Sequence, residues 1–402
     1  MTVLRNKTVI LGITGSIAAY KAAELASTLT QAGALVDVIM TESAQRFIAP
    51  MTLRSITHRP VATGMWEAPI SFDIEHISLA EAADVLLIAP ATANVMAKLA
   101  SGLADDLLSA TVLATRAPIV IAPAMNDNMY AHPATQENIA RLKARNVVFV
   151  EPDFGRLASG KIGQGRLAQS DEIIGALCAV LGREGALAGW KVVVTAGGTR
   201  EPLDPVRYLG NRSSGKMGYA LAIAARDMGA QVVLVSAADR PVPAGVTVVP
   251  VETAAQMQVA VADAVNGADA LIMAAAVADY QAAEVAGQKI KKLDEVWRLE
   301  LKRTQDILQS TRGPFLRVGF AAESEDLFSN ARLKLDEKGL DLIVANDITE
   351  PGVGFGADSN RVSIIGRDGV VDTLPVLTKR EVADRVLGVV AKMSRPQVGQ
   401  GK

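Results

Sequence analysis

The amino-acid sequence predicts an α/β protein made of two doubly wound, Rossmann-like three-layer domains. Short β-branched segments alternate with helices rich in alanine and leucine, which is typical of a parallel sheet covered by helices on both faces. The alternation also starts a second time. The segment that opens it, Val192-Val-Val-Thr-Ala-Gly-Gly198, is similar to the first opening segment, Val9-Ile-Leu-Gly-Ile-Thr-Gly15. We therefore expect two domains of the same architecture, comprising residues 1–189 and 190–402.

The first half contains five predicted strands and five predicted helices. The strands are Thr8–Ile13, Leu35–Met40, Asp84–Ala89, Pro118–Ala122 and Val147–Glu151. The helices are Ile17–Ala32, Ala91–Ser101, Asp106–Thr115, Ala134–Arg145 and Asp171–Leu181. The glycine-containing segment 182–189 is interpreted as a linker.

The second half repeats this order from residue 191 onward. A tight turn at Gly197-Gly198 follows its first strand, and the helix Met217–Gly229 precedes the next one. The predicted strands are Lys191–Thr195, Gln231–Ser236, Val246–Val251, Ala270–Ala275, Arg317–Ala321 and Leu342–Ala345. Ligands of doubly wound sheets bind beyond the carboxyl ends of the strands, so functional residues are expected in the loops that follow these strands.

Composition excludes several classes of function. The chain has 402 residues with 41 Lys and Arg, 43 Asp and Glu and a net charge of −2, so no overall field attracts nucleic acid or an acidic membrane. A single cysteine, Cys178, rules out an internal disulfide framework and a cysteine-based metal site, and it fits a reducing compartment. Aromatic residues amount to only 4%, which disfavours a stacking platform for single strands.

No segment predicts a membrane span or a signal peptide. The most apolar stretch, Val85–Ala97, is interrupted by Pro90 and Asn94, whereas a spanning helix needs about 20 mostly apolar residues. The N-terminal apolar run carries Gly12 and Gly15 at the point where a strand would turn into a helix. We expect a cytoplasmic protein that acts on small molecules.

Four loops at predicted strand ends of the first half carry small polar residues. In Gly12-Ile-Thr-Gly15-Ser16, backbone N–H groups at a helix start and the Ser16 hydroxyl could bind a phosphate; a plain turn capped by Ser16 is the alternative. Thr41-Glu-Ser43, Pro90-Ala-Thr-Ala-Asn94 and Pro123-Ala-Met-Asn126 follow later strands. These loops are expected to converge on one rim of the sheet.

The three histidines differ in their surroundings. His58 and His132 each lie in a proline-containing loop and are interpreted as solvated or structural. His76 lies between apolar neighbours, and it is either a half-buried structural residue or a general base, because imidazole titrates near neutral pH.

The first half resembles the flavin-dependent phosphopantothenoylcysteine decarboxylases over about 180 residues. The resemblance depends on Gly15-Ser-Ile-Ala-Ala-Tyr-Lys21, Glu75-His-Ile, Ala89-Pro-Ala-Thr-Ala93, Pro123-Ala-Met-Asn126 and Gly155-Arg-Leu-Ala-Ser-Gly-Lys-Ile-Gly-Gln-Gly-Arg166, which occur in the order of that family.

That resemblance implies a flavodoxin-like domain of the flavin-dependent cysteine decarboxylase type, with trimeric contacts. The FMN-binding residues that it implies are Gly15, Ser16, Ser43 and Thr92. It also implies that His76 is the base for oxidation of the substrate thiol and that Asn126 holds the departing carboxylate. Residues 155–166 would form a flap over the substrate.

One position departs from that family. Its flap usually carries a cysteine, the acid of the final reduction, where this chain has Ser159. Cys178 is out of register and cannot be assumed to replace it. An alternative function is therefore an active ligase fused to a flavin-binding regulatory or scaffold module with impaired decarboxylase chemistry.

Two polar segments of the second half suggest phosphate chemistry. Asn211-Arg-Ser-Ser-Gly-Lys-Met-Gly218 leads into a helix whose first N–H groups could bind phosphate or pyrophosphate; a serine-capped surface loop is the alternative. Lys289-Ile-Lys-Lys292 is either a solvated face or a partner of Asp279 at a magnesium-bound triphosphate.

The second half resembles the phosphopantothenate–cysteine ligases over nearly all of residues 190–380. The motifs are Gly197-Gly-Thr-Arg-Glu-Pro-Leu-Asp-Pro-Val-Arg207, Asn211-Arg-Ser-Ser-Gly-Lys, Ala275-Ala-Val-Ala-Asp279, Lys289-Ile-Lys-Lys, Gly319-Phe-Ala-Ala-Glu323 and Ala345-Asn-Asp347. Together the halves resemble the bacterial bifunctional enzymes of coenzyme A biosynthesis.

This resemblance implies that CTP, with Mg²⁺, activates the carboxylate of 4′-phosphopantothenate as an acyl-cytidylate, which L-cysteine then attacks. It implies dimeric ligase contacts, Asp279 as the metal ligand, Lys289 and Asn211 as catalytic residues, and Arg207 and Asn211 as residues that hold the acyl substrate. The CTP-contacting positions that it implies are Met273, Ala274, Ala275, Asp279, Lys289, Thr304, Gln305, Asp306, Ile307, Phe320, Lys334 and Lys338.

Many members of this family have an Asn-Pro-Asp turn where this chain has Thr304-Gln305-Asp306. A third hypothesis, a nicotinamide-dependent oxidoreductase, is supported only by the double Rossmann-like pattern. It is disfavoured because neither glycine loop has dinucleotide spacing.

Overall fold

The computed structural model describes residues 2–66, 75–291, 297–323, 326–347 and 356–395, and it divides into two compact units, Met1–Gly182 and Arg183–Lys402. The boundary lies before the expected residue 189. The reason is Leu187, which is completely buried in the core of the second unit and donates its backbone N–H to the carbonyl oxygen of Met228 at 2.8 Å. Most of the segment interpreted as a linker is therefore part of the second unit.

The described part of the first unit contains eight strands and eight α-helices. The strands are β1 (Thr8–Ile13), β2 (Leu35–Met40), β3 (Val61–Ala62), β4 (Val85–Ala91), β5 (Ile119–Pro123), β6 (Val148–Phe149), β7 (Asp153–Arg156) and β8 (Ile162–Arg166). The helices are α1 (Lys21–Gln31), α2 (Pro50–Thr57), α3 (Glu75–Ala82), α4 (Ala93–Ser101), α5 (Leu107–Ala114), α6 (Asp127–Ala131), α7 (Pro133–Ala144) and α8 (Ser170–Leu181).

The main sheet of this unit is parallel, with the order β3-β2-β1-β4-β5-β6. Without the two-residue edge strand β3, this is the strand order of the flavodoxin-like fold. Helices α1, α2 and α8 contribute to the core on one face, and α4, α5 and α7 contribute to the core on the other face. The predicted three-layer α/β fold is thereby confirmed.

Several elements of the first unit were not predicted. Strand β3 has only two residues, and the antiparallel pair β7–β8 is rich in glycine, so neither shows an apolar run. The predicted helix Ile17–Ala32 begins with a 3₁₀ turn, Ile17–Tyr20, because the Ser16 hydroxyl caps it by accepting the N–H of Ala18.

The described part of the second unit contains fourteen strands and five α-helices. The strands are β9 (Lys191–Ala196), β10 (Arg200–Pro202), β11 (Tyr208–Gly210), β12 (Gln231–Ser236), β13 (Val246–Pro250), β14 (Ala270–Met273), β15 (Tyr280–Ala282), β16 (Leu301–Arg303), β17 (Leu316–Glu323), β18 (Leu342–Asp347), β19 (Ser359–Asn360), β20 (Val362–Gly366), β21 (Gly369–Thr373) and β22 (Leu377–Thr378). The helices are α9 (Lys216–Asp227), α10 (Ala254–Ala264), α11 (Ile307–Ser310), α12 (Leu327–Lys338) and α13 (Lys379–Val390).

The second unit has an eight-stranded sheet with the order β13-β12-β9-β14-β17-β18-β20-β21. The first six strands are parallel; β20 pairs antiparallel to β18, and β21 pairs antiparallel to β20 at the edge. Helices α9 and α13 pack on one face, whereas α10, α11 and α12 pack on the other. The second unit therefore also has the predicted doubly wound, three-layer architecture. None of the helices in the described ranges is long and apolar enough to cross a membrane.

A buried charge cluster joins α9 to α13. Asp227 ends α9, and its Oδ1 atom accepts from the neighbouring Arg226 guanidinium at 2.8 and 2.5 Å. Its Oδ2 atom lies 2.7 Å from Nη1 of Arg380 in α13. Burial opposes the charge on Arg380, but Asp227 and Asp384 outweigh it and hold the pKa of this guanidinium above its ordinary value.

We expect Asp227→Ala to lower the free energy of unfolding of the second unit by about 3 to 5 kcal/mol, because the buried guanidinium of Arg226 and the partly buried one of Arg380 lose their shared counterion. Urea denaturation followed by the fluorescence of Trp190, which is buried in this unit, measures the loss. The matched control is Asp372→Ala, which removes an ion pair with Arg385 that is largely exposed and should cost less than about 1 kcal/mol. Equal losses in the two variants would contradict the assignment.

Candidate active sites of the two units

Three strand-end loops of the first unit meet at Thr14–Ser16. The Thr14 side chain, 1% exposed, donates its hydroxyl to the carbonyl oxygen of Pro90 at 2.7 Å and accepts the N–H of Thr92 at 3.0 Å. The Ser16 hydroxyl donates to the carbonyl oxygen of Ala124 at 3.2 Å. The loops after β1, β4 and β5 are thus held together by hydrogen bonds, as the sequence predicts.

The loop after β2 joins them through a contact that only glycine permits. A Cβ atom at Gly15 would lie 2.4 Å from the Cβ atom of Ser43. Thr92 is the N-cap of α4, and its hydroxyl accepts the N–H of Val95 at 3.3 Å. The structure therefore brings Gly15, Ser16, Ser43 and Thr92 to one edge of the sheet.

The β7–β8 hairpin contacts the loop after β5 through its backbone. Met125 donates its N–H to the carbonyl oxygen of Gly165 at 3.0 Å, and a Cβ atom at Gly165 would lie 2.2 Å from the carbonyl oxygen of Met125. Asn126, between this contact and α6, caps that helix by accepting the N–H of Asn128 at 3.0 Å. Ser159 lies exposed in the connection between β7 and β8. The predicted flap is therefore a hairpin beside Asn126.

The histidines take three different positions. His76 is half-buried in the first turn of α3, and no hydrogen bond among the described residues joins it to Thr14–Ser16. Residues 67–74, which precede α3, lie outside the described part. His58 ends α2 in the left-handed region, with φ of 56°, and His132 caps α7 by accepting the N–H of Ala134.

The second unit has a cavity of about 960 Å³ at the carboxyl ends of β14, β17 and β18. Ser213, Ser214 and Gly215, just before α9, lie in its wall. The residues that the sequence predicts for the nucleotide and that line this cavity are Met273, Ala274, Ala275, Asp279, Thr304, Gln305, Asp306, Ile307, Phe320, Lys334 and Lys338.

The Thr304–Asp306 segment is anchored at both ends. The Thr304 hydroxyl donates to the carbonyl oxygen of Ala278 at 2.5 Å, and its N–H donates to that of Asp279 at 2.9 Å. Asp306 caps α11 and forms an ion pair with Lys338 at 2.9 Å. Burial raises the pKa of Asp306, but Lys338 and the backbone N–H of Gln309 outweigh this effect and hold the pKa below its ordinary value. Asp306 is therefore ionised near neutral pH.

Asn211 lies behind the cavity wall. Its amide nitrogen donates to the carbonyl oxygens of Ala276 and Val277 at 3.2 and 3.3 Å, and both of these residues line the cavity. Asn211 itself is not a lining residue in the structure. It therefore positions the backbone that follows β14.

Arg207 and Lys289 lie near one another but outside the lining of the cavity. Ile290, the residue after Lys289, donates its N–H to Asp204 at 3.2 Å and accepts from Arg207 at 2.5 Å. Asp204 and Arg207 form an ion pair at 3.0 Å. These contacts anchor the chain beside the exposed Lys289, whereas Lys292 of the same basic run lies outside the described residues.

Metal-binding residues are few in the described ranges. No group of three or more His, Cys, Asp and Glu side chains there could hold a metal ion. Asp279 is an exposed carboxylate at the cavity. Because Mg²⁺ keeps several waters and is often held by one or two carboxylates together with substrate phosphates, a single Asp279 fits that type of binding.

Sequence reasoning missed Lys216 and Lys379, two of the cationic residues that line the cavity. Each is the first residue of a helix, α9 and α13 respectively. A lysine at that position is unusual because the helix dipole favours acidic residues there, and this signal could have singled both residues out.

Both halves of the chain match family models. The model described as Flavoprotein matches residues 2–182, and the model described as DNA/pantothenate metabolism flavoprotein C-terminal domain matches residues 187–393. A solved C-terminal domain of a Coenzyme A biosynthesis bifunctional protein CoaBC is similar at 41% identity and a TM-score of 0.45, covering 52% of this chain and 96% of that chain.

Curated relatives match nearly the whole chain. A Coenzyme A biosynthesis bifunctional protein CoaBC from Bacillus subtilis (strain 168) is 46% identical over 407 residues, which covers 99% of each chain. Another with the same name, from Mycobacterium tuberculosis (strain ATCC 25618 / H37Rv), is 44% identical, with 96% of each chain covered. The chain therefore belongs to the family of coenzyme A biosynthesis bifunctional proteins, enzymes that combine a flavoprotein decarboxylase with a ligase.

Proposed function

We propose that the second unit ligates L-cysteine to 4′-phosphopantothenate with CTP, and that the first unit decarboxylates the product to 4′-phosphopantetheine. The observation that carries this proposal is the gathering of eleven of the twelve nucleotide-matching residues around one cavity, at the sheet edge where doubly wound folds bind ligands. The flavin-matching residues gather in the same way around Thr14–Ser16 of the first unit.

The first unit fits FMN in its residue chemistry. Gly15 has no side chain and lies close to Ser43, so the backbone of the Thr14–Ser16 loop is not covered at that point. The hydroxyl groups of Ser16 and Thr92 lie at the starts of helical segments, where phosphate binds favourably. We assign FMN binding to Gly15, Ser16, Ser43 and Thr92. When bound, FMN supplies the oxidation of the cysteinyl thiol and the later return of the electrons.

The residues of the first unit then handle protons and the carboxylate. His76 accepts the proton of the substrate thiol, since histidine is the side chain that most often acts as a general base. Asn126 donates an amide hydrogen bond to the departing carboxylate. The β7–β8 hairpin, which is docked beside Asn126, excludes water from the substrate.

Ser159 stands where a cysteine would supply the proton for the last step. A hydroxyl is a much weaker acid than a thiol, whose ordinary pKa is about 8.5. The hairpin is otherwise complete, with Lys161 exposed two residues farther on. We propose that water or Lys161 supplies the proton and that Ser159 positions it.

In the second unit, the carboxylate of 4′-phosphopantothenate attacks the α-phosphate of CTP and pyrophosphate leaves. The amine of cysteine then displaces CMP from the acyl-cytidylate and forms the amide. Activation is needed because oxide is not a usable leaving group at a free carboxylate. Asp279 would hold Mg²⁺ together with the phosphates of CTP, and Lys289 would neutralise the charge that develops on these phosphates. Arg207 and Asn211 hold the acyl group.

Homo-oligomeric contacts are part of the proposal, trimeric through the decarboxylase and dimeric through the ligase. Exposed apolar side chains support contacts of the first unit. Tyr20 is 62% exposed, and Phe154 and Ile162 of the hairpin are 73% and 69% exposed. Large apolar patches on a soluble protein are typical of interaction surfaces.

We expect full conversion of 4′-phosphopantothenate to 4′-phosphopantetheine when the purified protein receives CTP, cysteine and Mg²⁺, with products identified by mass. Because the hairpin is intact, Ser159 should slow the last step without stopping it. Ser159→Cys is the matched variant and should be faster. Accumulation of the decarboxylated enethiol, relieved by Ser159→Cys, would support the alternative of an impaired decarboxylase module.

Lys289→Gln should abolish CTP-dependent ligation and leave decarboxylation of supplied 4′-phosphopantothenoylcysteine intact. The reason is that the lost cation serves only the nucleotide chemistry of the second unit. Pyrophosphate release and CO₂ release measure the two activities separately. If a folded, flavin-loaded variant loses both activities, the two-site assignment is wrong.

His76→Asn should retain bound flavin but lose the decrease in flavin absorbance that follows addition of 4′-phosphopantothenoylcysteine. Removal of the base prevents formation of the thiolate near neutral pH. Anaerobic visible spectra check this result, and His132→Asn, which changes a helix cap, is the control. An unchanged absorbance decrease would show that His76 is structural.

A further inference from the structure

Arg317 is a buried cation in the sheet of the second unit, and none of the sequence motifs gives it a role. It is the second residue of β17 and is only 6% exposed. The next residue, Val318, belongs to the core on the face of α9 and α13. Because successive side chains of a strand point to opposite faces, Arg317 lies on the face of α11 and α12.

The Arg317 guanidinium joins the ends of these two helices. It donates to the carbonyl oxygen of Leu308 in α11, and to the carbonyl oxygens of Lys338 and Gly339 at the end of α12 at 2.7 and 3.0 Å. Carbonyl oxygens in the last turn of a helix have no partner within the helix, and a cation is favourable there. One side chain therefore binds two segments that are far apart in the sequence.

The backbone of Arg317 fixes this contact to the sheet. Arg317 donates its N–H to Asp341 Oδ2 at 2.8 Å, and its carbonyl oxygen accepts the N–H of Asp341 at 2.9 Å. Asp341 immediately precedes β18, the strand that pairs with β17. The guanidinium therefore holds α11 and α12 at a defined position relative to these two strands.

The same two helices bring together a pair of residues at the cavity. Asp306 caps the start of α11, and Lys338 is the last residue of α12. Their side chains form an ion pair at 2.9 Å, line the cavity and match nucleotide positions. Both side chains are about one third exposed, and an ion pair of that kind contributes little to stability. The pair alone is thus a weak link between the helices, whereas Arg317 binds their backbones directly.

The packing of these helices on β17 also shapes the wall of the cavity. Leu308 of α11, Gly319 of β17 and Leu340 after α12 all line it. A Cβ atom at Gly319 would lie 2.7 Å from Leu340 Cδ1 and 3.5 Å from Leu308 Cδ2, so the two leucines pack over the strand without spare room. Movement of either helix would therefore change the shape of the cavity beside the nucleotide-matching residues.

The position of Arg317 is costly for a cation. Burial and the nearby Arg312 hold the pKa of Arg317 below its ordinary value, although Asp341 and Asp306 oppose this effect. Its Nε atom is buried without a hydrogen-bond partner among the residues that the structure describes. Local violations of this kind are expected at functional sites more than at positions that only stabilise a fold.

We propose that Arg317 is a positioning residue for CTP, because its guanidinium holds the end of α12 against α11 so that Lys338 and Asp306 meet the nucleotide in one fixed arrangement. The inference rests on the proposed ligase function. Arg317 is not a lining residue of the cavity in the structure, so it acts through the two helices. A purely structural role is the alternative, and the two roles predict different kinetics.

The first test measures the ligase kinetics of Arg317→Met in the full-length protein. We expect the KM for CTP to rise by about tenfold or more, because the two helices lose their charge-assisted link. The kcat at saturating CTP and the KM for cysteine should stay within about threefold of the original values, since Arg207 and Asn211 lie on other elements. Arg317→Lys, which keeps the charge but not the forked geometry, should restore part of the affinity for CTP.

Arg226→Met is the matched control. Arg226 is also a buried arginine of the second unit, 5% exposed, and it donates to Asp227 and to the carbonyl oxygen of Ala244 from α9, on the other face of the sheet. Its loss should destabilise the unit but leave the KM for CTP within about twofold of the original value. Equal increases in the KM for CTP in both variants would show general destabilisation and overturn the inference. An unchanged KM for CTP in Arg317→Met would also overturn it.

Arg317→Lys decides the question if Arg317→Met does not fold. An ammonium group lacks the fork with which arginine binds both helix ends, so the KM for CTP should still rise by about threefold or more. An unchanged KM for CTP in this variant overturns the inference.

Hydrogen exchange of the nucleotide-free protein separates this inference from the proposed function. Thr311 donates its N–H to the carbonyl oxygen of Ile307 at the end of α11, and Leu340 donates to that of Leu335 at the end of α12, both at 2.9 Å. In Arg317→Met these N–H groups should exchange about tenfold faster or more, while those of α9 keep their rates. That result supports the positioning role even if the protein fails to ligate, and such a failure would contradict only the proposed function. Unchanged exchange at both helix ends overturns the inference.

Discussion

In each unit, a buried threonine hydroxyl at the end of the first strand of the main sheet forms hydrogen bonds with the segment that ends the neighbouring strand. This is the switch point of the sheet, where the strand order reverses. Thr14 bonds to the backbone of Pro90 and Thr92 after β4, the strand beside β1. In the second unit, the Thr195 hydroxyl accepts the N–H of Ala275 at 3.1 Å, after β14, the strand beside β9. The helices that follow two such neighbouring strands lie on opposite faces of the sheet, so a crevice opens between the ends of the two strands. The two reactions therefore use one structural solution twice.

The segments that surround these threonine hydrogen bonds differ between the two units. In the first unit, the loops after β2 and β5 approach Thr14–Ser16 closely and leave a narrow edge. In the second unit, Thr304–Asp306 lies outside the main sheet, lines the cavity and is fixed by bonds to Ala278 and Asp279. The Thr304 hydroxyl takes part directly in this anchoring, so the departure from the Asn-Pro-Asp turn leaves the segment in place, and Asp306 still pairs with Lys338.

The sequence predicts the central elements well because they carry their own signal. Strands β1, β2 and β12 have the predicted limits, since each is a mainly apolar segment between turns. Helix α12 was missed because it buries only Ala331 and Leu335 among the described side chains, which is too few for an amphipathic pattern. Residues at strand ends could be predicted from the architecture alone. The proximity of Lys216 and Lys379 could not, because it depends on how two helices far apart in sequence pack on the same face.

The glycines of the β7–β8 hairpin have a consequence for evolution. Gly163 and Gly165 let backbone meet backbone and the side chain of Asp127 at the docking surface, so the attachment of the hairpin depends little on the side chains that it carries outward. Position 159 lies in the exposed connection and can change residue type with little cost to folding. The residue type at the tip of the hairpin can therefore change during evolution independently of the stability of the fold.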